Sequence, residues 1–214
     1  FSSSATVYGH PSKLPIDESH NLNPVNVYGK SKLIVENMIK DLVESESIKS
    51  GICLRYFNPV GSYKKGLLGE DPSQVSDNLI PQILETIFND SKVLNIYGNN
   101  LNTHDGSAVR DFIHISDLID GHVSSLNFQR DNKGFYEFNL GTGKGVSVFQ
   151  ILNTFQNIIS KPIKYNIRCQ RPGEIPSYYC DPAKAKKYLK WTSKCDIHSM
   201  CEDALLWYKK INNY

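Results

Sequence analysis

"NVYGKSKLIVENMIKDLVESESIKSGICLRYFNPVG", residues 26–61, decides the fold. From Val27 to about Ser47 the apolar residues Leu33, Ile34, Met38, Leu42 and Val43 recur near helical spacing, which predicts a helix. Gly51 punctuates, and "ICLRYFNPVG" (52–61) predicts a buried strand stopped by Pro59. Upstream, residues 1–8 give a short strand end, and 9–25, polar with three prolines, an ordered loop. Strand, helix and strand in this order suggest a parallel α/β sheet.

The theme continues downstream. "LIPQILETIF" (79–88) predicts a helix and "VLNIYG" (93–98) a short strand. Residues 109–128 predict a strand, a cap at Asp117 and a helix, and 134–159 repeat strand, turn and helix. "PIKYNIR" (162–168) predicts another strand, and two helices close the chain in 181–191 and 199–211.

Composition narrows the function. A length of 214 residues suits one large domain or two small ones, on a prior of about 100–200 residues per domain. With 40% hydrophobic residues the chain can build a sizeable core. A net charge of +2 argues against a nucleic-acid footprint, and the basic run "KAKKYLK" (184–190) reads as a solvated helix face. No apolar run approaches the roughly 18 residues a membrane span needs, so no membrane partner is expected. Five cysteines without a CxxC pair read as free thiols in a reducing cytoplasm. No His/Cys cluster has metal-ligand spacing, so no metal is expected, and His114, inside an apolar strand, reads as structural.

Two motifs carry possible chemistry. "NLGTGKGVS" (139–147) looks like a dinucleotide loop, but its glycines are spaced G-x-G-x-G and no acidic residue closes a following strand; the favoured reading is a tight structural turn. Tyr28 and Lys32 stand four apart on one helix face. In isolation both are poor bases at neutral pH, with pKa values near ~10 and ~10.4, but an adjacent cation stabilises a phenolate. Y-x-x-x-K alone is common in helices. The serine cluster Ser2 to Ser4 at a strand end changes the reading, because a long loop can bring that end beside the helix start. Serine, tyrosine and lysine together make a proton-handling site, useful where a hydride leaves the same carbon and a nicotinamide accepts it.

At this point the motifs "FSSSATVYG", "YGKSK", "LRYFNPVG", "GEDP", "DNLIPQI", "DGSAVRDFIHISDL", "FNLGTGKGVSV" and "RPGEIPSYY" resemble, in order and over residues 1 to about 210, those of the UDP-glucose 4-epimerase family of extended short-chain dehydrogenase/reductases. The resemblance implies an α/β fold, a partial Rossmann (doubly wound parallel sheet) with a smaller C-terminal α/β substrate-binding domain. Residues 1–60 would be the C-terminal part of the NAD-binding domain and 61–214 mainly the UDP-sugar-binding domain, with about 110–128 returning to the Rossmann domain. It implies bound NAD, the substrates UDP-glucose and UDP-galactose, and a homodimer. It also implies a chemistry in which a base would take the sugar O4 proton while the C4 hydride passes to NAD⁺, the 4-keto sugar would rotate, and the hydride would return to its other face.

By matching motifs, Tyr28 would be the base, Ser4 would bridge the sugar hydroxyl, and Lys32 would bind the nicotinamide ribose and tune Tyr28. Tyr56 and Phe57 would lie beside the cofactor, and Ala5, Thr6 and Asn58 at the substrate. Asn78, Leu79, Asn95 and Tyr97 match uridine contacts, Arg110 and Arg171 would neutralise the diphosphate, and Glu174 stands for an aspartate that reaches the ribose. A bulky Tyr178 is expected to exclude N-acetylated sugars. Val27 replaces a usual proline, Asp77 an asparagine and Phe112 a tyrosine. The family's opening strand and G-x-x-G-x-x-G loop do not occur in the 214 residues, and the expectation is that this part is missing and the chain alone is inactive. Two other readings remain: a sister nucleotide-sugar dehydratase or decarboxylase, and a non-catalytic nucleotide-sugar-binding fragment. Dehydratases add an acidic pair where Ala5 and Thr6 stand.

Overall fold

The computed structural model describes residues 1–64, 66–71 and 78–213, so Asp77 lies outside the described residues. In chain order the elements are β1 (Ser2–Ser4), a 3₁₀ turn (Ala5–Tyr8), α1 (Val27–Glu44), β2 (Ser50–Tyr56), β3 (Asn58–Val60), α2 (Leu79–Phe88), β4 (Leu94–Tyr97) and β5 (Val109–His114). There follow α3 (Ile115–Asp131), β6 (Gly134–Leu140), β7 (Gly145–Ser147), α4 (Val148–Ile159), β8 (Tyr165–Arg168), β9 (Ser177–Tyr178), α5 (Ala183–Leu189) and α6 (Ile197–Ile211).

The opening stretch builds a doubly wound layer. β2 lies between β1 and β6, parallel to both, with Ser3 opposite Arg55 and the ladder to β6 running from Ser50–Gly134 to Tyr56–Leu140. Residues 51–55 of β2 are buried whichever way they point, as expected of a strand covered on both faces. On one face α1 sits close because Gly51 has no side chain; a Cβ there would lie 2.3 Å from Ile39. On the other, Leu118, Ala185, Leu189 and Trp191 pack on Leu54, Phe138 and Leu140. This layer thus takes in β6 and α5 as well as α3. α1 is shorter than its apolar pattern suggests, because Glu46 adopts a left-handed φ of 57° just past the Ser45 cap.

At Phe57 the chain changes sheets. Pro59 does not stop a strand, as the sequence suggested; it sits inside β3, which pairs with β5 at the end of the β3-β5-β7 order. An edge strand tolerates a residue that cannot donate. β5 also pairs antiparallel with β7 and parallel with β9, and β4 pairs with β8. A second core of Ile83, Leu94, Ile151, Leu152, Phe155 and Met200 joins α2, α4 and α6 to β4. α4 starts on a capping box between Ser147 and Gln150.

Two local readings are settled by hydrogen bonds. The cap of α3 is His114, whose Nδ1 accepts from Ser116 N at 3.0 Å, rather than Asp117; Asp117 lies in the first turn and accepts from Lys194 N and Cys195 N. His114 Nε2 lies 3.1 Å from Asp203 of α6, which makes it the structural histidine expected. The glycine turn 141–145 wraps the fully buried Asp111 carboxylate, which takes the amides of Thr142, Gly143 and Cys180 at 2.8, 3.0 and 3.2 Å. A Cβ at Gly141 would lie 2.7 Å from that carboxylate. The turn's donors are already committed, so it is no phosphate loop.

Candidate active site

The loop 9–25 does bring the serine strand to the helix start. Ser4 ends β1 and caps the 3₁₀ turn, its Oγ accepting from Thr6 N at 3.2 Å and Thr6 Oγ1 at 3.0 Å. Asn26 caps α1, accepting from Gly29 N at 2.7 Å. Gly29 is where the two meet: a Cβ there would fall 2.7 Å from Thr6 O and 2.9 Å from Pro24 Cβ. The loop between is pinned at Ile16, whose N donates to Tyr179 O at 2.9 Å and whose O accepts from Asp181 N at 2.8 Å.

Tyr28 is exposed in the first turn of α1. Lys32 Nζ lies 5.3 Å from the Tyr28 ring centroid and 5.2 Å from that of Phe1, and it donates to Ser2 O at 2.9 Å. The ammonium therefore bridges the tyrosine of α1 to the backbone of β1.

Tyr56 and Phe57 point to opposite faces. Tyr56 turns toward α3, where its hydroxyl donates to Ser2 Oγ at 2.7 Å and contacts His122 Nε2, and burial raises its pKa. Phe57 is buried with Ala5, Val7 and Tyr8 and packs on Tyr178, ring centroids 5.7 Å apart. Tyr178 donates to Ala5 O at 2.6 Å and pairs with Arg110 across β9 and β5. Burial pushes the Tyr178 phenol up, so it serves as a donor.

Beyond Tyr178 opens a cleft of about 1260 Å³. Asn58, Asn78, Leu79, Asn95 and Tyr97 line it, and so do Arg110, Arg171 and Glu174. Arg110 is held by Val109 O and Ile175 O, both at 2.8 Å, and by an ion pair with Glu174. Burial lowers its pKa while the Glu174 carboxylate opposes that shift. The Arg171 guanidinium lies over the Tyr97 ring at 4.2 Å, and Asn95 Oδ1 accepts from Arg168 Nε at 2.8 Å. Ser4, Ala5, Thr6, Tyr28, Lys32, Tyr56, Phe57 and Tyr178 are not among the residues lining this cleft. Tyr178 links their group to it through Ala5 and Arg110.

Sequence reasoning missed the far wall. Trp207 and Tyr208 of α6 line the cleft with Ile96 and Phe112, and Trp207 Nε1 donates to Glu70 O at 2.7 Å. Their only signal was an aromatic pair in a closing helix. Among the described residues, no three His, Cys, Asp or Glu side chains gather as a metal site, and no helix is long and apolar enough to cross a membrane.

A family model described as GDP-mannose 4,6 dehydratase matches residues 1–204. The UDP-glucose 4-epimerase of Dictyostelium discoideum is 44% identical over 208 residues, 97% of this chain and 60% of that protein. The Bos taurus UDP-glucose 4-epimerase is 41% identical over 211 residues, 98% of this chain and 61% of that protein. The crystal structure of UDP-glucose 4-epimerase from Bifidobacterium longum in complex with NAD⁺ and UDP matches with a TM-score of 0.92 at 41% identity, over 100% of this chain and 64% of that one. The chain spans about 60% of the length of the curated relatives it matches.

Proposed function

The chain belongs to the GDP-mannose 4,6 dehydratase family, and from that premise we propose that the intact protein is an NAD-dependent UDP-glucose 4-epimerase that interconverts UDP-glucose and UDP-galactose. The observation that carries the reading is the continuity from the Ser4–Tyr28–Lys32 group, through Tyr178, to a cleft with two arginines.

Each residue has a role suited to its chemistry. Arg110 and Arg171 neutralise the diphosphate with guanidinium forks. Asn58, Asn78, Leu79, Asn95 and Tyr97 line the cleft where the uridine and its phosphates lie, and Glu174 keeps Arg110 oriented. Tyr178 closes the sugar end and, by its bulk, restricts it to hexoses without an N-acetyl group. Ser4 orients the sugar O4, with Ala5 and Thr6 forming the turn around it. Tyr28 accepts the O4 proton and later returns it, and Lys32 stabilises the phenolate between.

The residues present fit the nicotinamide end of NAD: an exposed phenol and an ammonium stand at the end of a parallel strand, and Ser2 links the Lys32 ammonium to the Tyr56 hydroxyl. Tyr28 and Lys32 would hold that end of NAD, which would supply a reversible hydride acceptor beside the sugar C4. The 141–145 turn cannot serve the pyrophosphate, because Asp111 occupies its amides. The pyrophosphate of NAD is therefore assigned to residues other than this turn. We read the intact protein as a cytoplasmic homodimer. Its five unpaired thiols support the compartment, and the exposed Ile34, Met38 and Leu42 of α1 support the dimer.

The competing dehydratase needs acidic groups beside the sugar. Ser4 is followed by Ala5 and Thr6, and Glu36, the carboxylate bonded to Ser3, is held by Arg55. The test is conversion of UDP-galactose to UDP-glucose by the intact protein and its Tyr28→Phe variant. The variant should lose on the order of 10²–10⁴-fold in kcat and still bind UDP. Undiminished turnover by the variant would refute the base assignment, and release of a dehydrated 4-keto sugar by the parent protein would favour the dehydratase.

A further inference from the structure

Behind the Ser4–Tyr28–Lys32 group runs a chain of buried polar side chains that the proposed chemistry does not use. Glu36 of α1 and Arg55 of β2 are 2% and 3% exposed. Arg55 Nε donates to Glu36 Oε1 at 3.0 Å and Nη2 to Oε2 at 2.7 Å. Arg55 Nη1 donates to the Tyr8 hydroxyl at 3.0 Å, which donates to Asn139 Oδ1 at 2.6 Å; Asn139 Nδ2 donates to Ile16 O at 2.9 Å. Burial holds the Tyr8 phenol above its ordinary pKa, so it stays a donor. Ser3 Oγ donates to Glu36 Oε1 at 2.5 Å.

A pair buried this deeply adds little net stability, since desolvation offsets its attraction and an apolar pair of similar volume often does as well. The helix had apolar residues to offer, yet Ile34, Met38 and Leu42 are exposed, and the only fully buried residues of α1 are Gly29 and Glu36. What such a network supplies is a single geometry. Tyr28, Lys32 and Glu36 occupy successive turns of α1, so fixing Glu36 fixes the rotation and height of the other two. Side chains alternate along β1, so Ser3 reaches Glu36 while Ser4 points to the opposite side of the strand. One carboxylate is thus bonded to the neighbour of Ser4 and rides on the helix of Tyr28 and Lys32.

We propose that Glu36, clamped by Arg55 and bonded to Ser3, is a positioning residue that sets the separation between the Ser4 hydroxyl and the Tyr28–Lys32 pair. The inference rests on the epimerase reading given above. The test uses the intact protein with Ser3→Ala, Ser3→Thr and Glu36→Gln. Glu36→Gln should lower kcat by about 10²-fold, the effect of an ångström-scale misplacement, while KM and the Kd for UDP change less than about twofold, because the nucleotide cleft is lined by other residues. Ser3→Ala breaks only the bond to β1, serves if Glu36→Gln does not fold, and should lower kcat roughly tenfold, with Ser3→Thr restoring most of it. Unchanged kcat in Ser3→Ala, a parallel loss of UDP affinity, or no rescue by Ser3→Thr would overturn the proposal. Hydrogen exchange separates this from the failure of the epimerase reading. Should the parent protein show no epimerase activity, amides 29–33 of α1 should still exchange faster in Ser3→Ala while those of α2 do not; identical exchange would overturn the positioning role by itself.

Discussion

Replacing Asp111 with asparagine should destabilise the protein by about 2–4 kcal/mol, a figure that follows from its donors. Asp111 is fully buried. Its Oδ1 accepts from Thr142 N at 2.8 Å and Thr142 Oγ1 at 2.6 Å; its Oδ2 accepts from Gly143 N at 3.0 Å and from Cys180 N and Sγ, each at 3.2 Å. Asparagine keeps one acceptor oxygen and turns the other into a donor. With the new amide NH₂ at Oδ2, two backbone N–H groups lose their acceptor. At Oδ1 only Thr142 N does, since the threonine hydroxyl can rotate and accept, so this orientation is the cheaper one. One orphaned buried amide costs about 1–3 kcal/mol, and loss of charge from the remaining bonds adds on the order of 1 kcal/mol. In urea the midpoint should fall by roughly 1–2 M at an m near 2 kcal/mol/M, with m unchanged. A loss below about 1 kcal/mol would refute the reasoning, because the turn's amides would then have another acceptor and could be open to a phosphate.

Gly29→Ala should drive α1 from the 3₁₀ turn, since the new methyl meets Thr6 O at 2.7 Å. Helix propensity returns about 1 kcal/mol of the clash, so kcat should fall more than thermal stability does, and a variant with parental kcat would contradict the contact. Tyr178→Gly should open the sugar end and admit UDP-N-acetylhexosamines, measured as epimerisation of UDP-N-acetylgalactosamine; no gain would mean that Tyr178 does not set the limit. Asp17 accepts from the Ser19 hydroxyl and amide and pairs with Lys13 at 3.2 Å, and the Ser19 hydroxyl chiefly holds its carboxyl well below the ordinary range. A depressed folded pKa gives stability that is present above the unfolded value near ~3.9 and is lost as pH falls toward the folded one. Melting curves from about pH 5 to pH 2 should therefore converge for Asp17→Asn and the parent protein, and parallel curves would exclude the effect.

How much of this could be read in the sequence depends on the kind of signal each residue carries. The α/β alternation and most elements were legible, because Leu94–Tyr97, Val109–His114 and Val148–Ile159 are strongly patterned segments bounded by turns. Pro59 misled, since a proline looks like a strand terminator until the strand is known to lie at an edge. Asp117 looked like a cap, but in the folded chain the imidazole of His114 accepts the Ser116 amide instead. The cleft's far wall was silent, because Trp207 and Tyr208 are read as apolar helix residues whether they pack or line a void.

The sharpest contrast lies within α1. Tyr28 and Lys32 were legible because their side chains have a chemistry that invites a question. Glu36 has none, and a glutamate in a charged, amphipathic helix is taken to face water. Its burial depends on Arg55, 19 residues further on, and on Ser3, 33 residues back, partners that no local pattern links to it. The apolar pattern gave no help, because of the residues that predict the helix Ile34, Met38 and Leu42 are exposed and only Leu33 and Val43 are half-buried. Leu33 packs inward on the Phe57 cluster and Ile39 lies against Gly51, as an amphipathic helix requires, but the two most deeply buried residues of α1 are a glycine and a carboxylate. A buried carboxylate at that place makes sense where the geometry of the helix matters more than the stability of the contact, which is the condition a proton-transfer site imposes on the helix that carries its base.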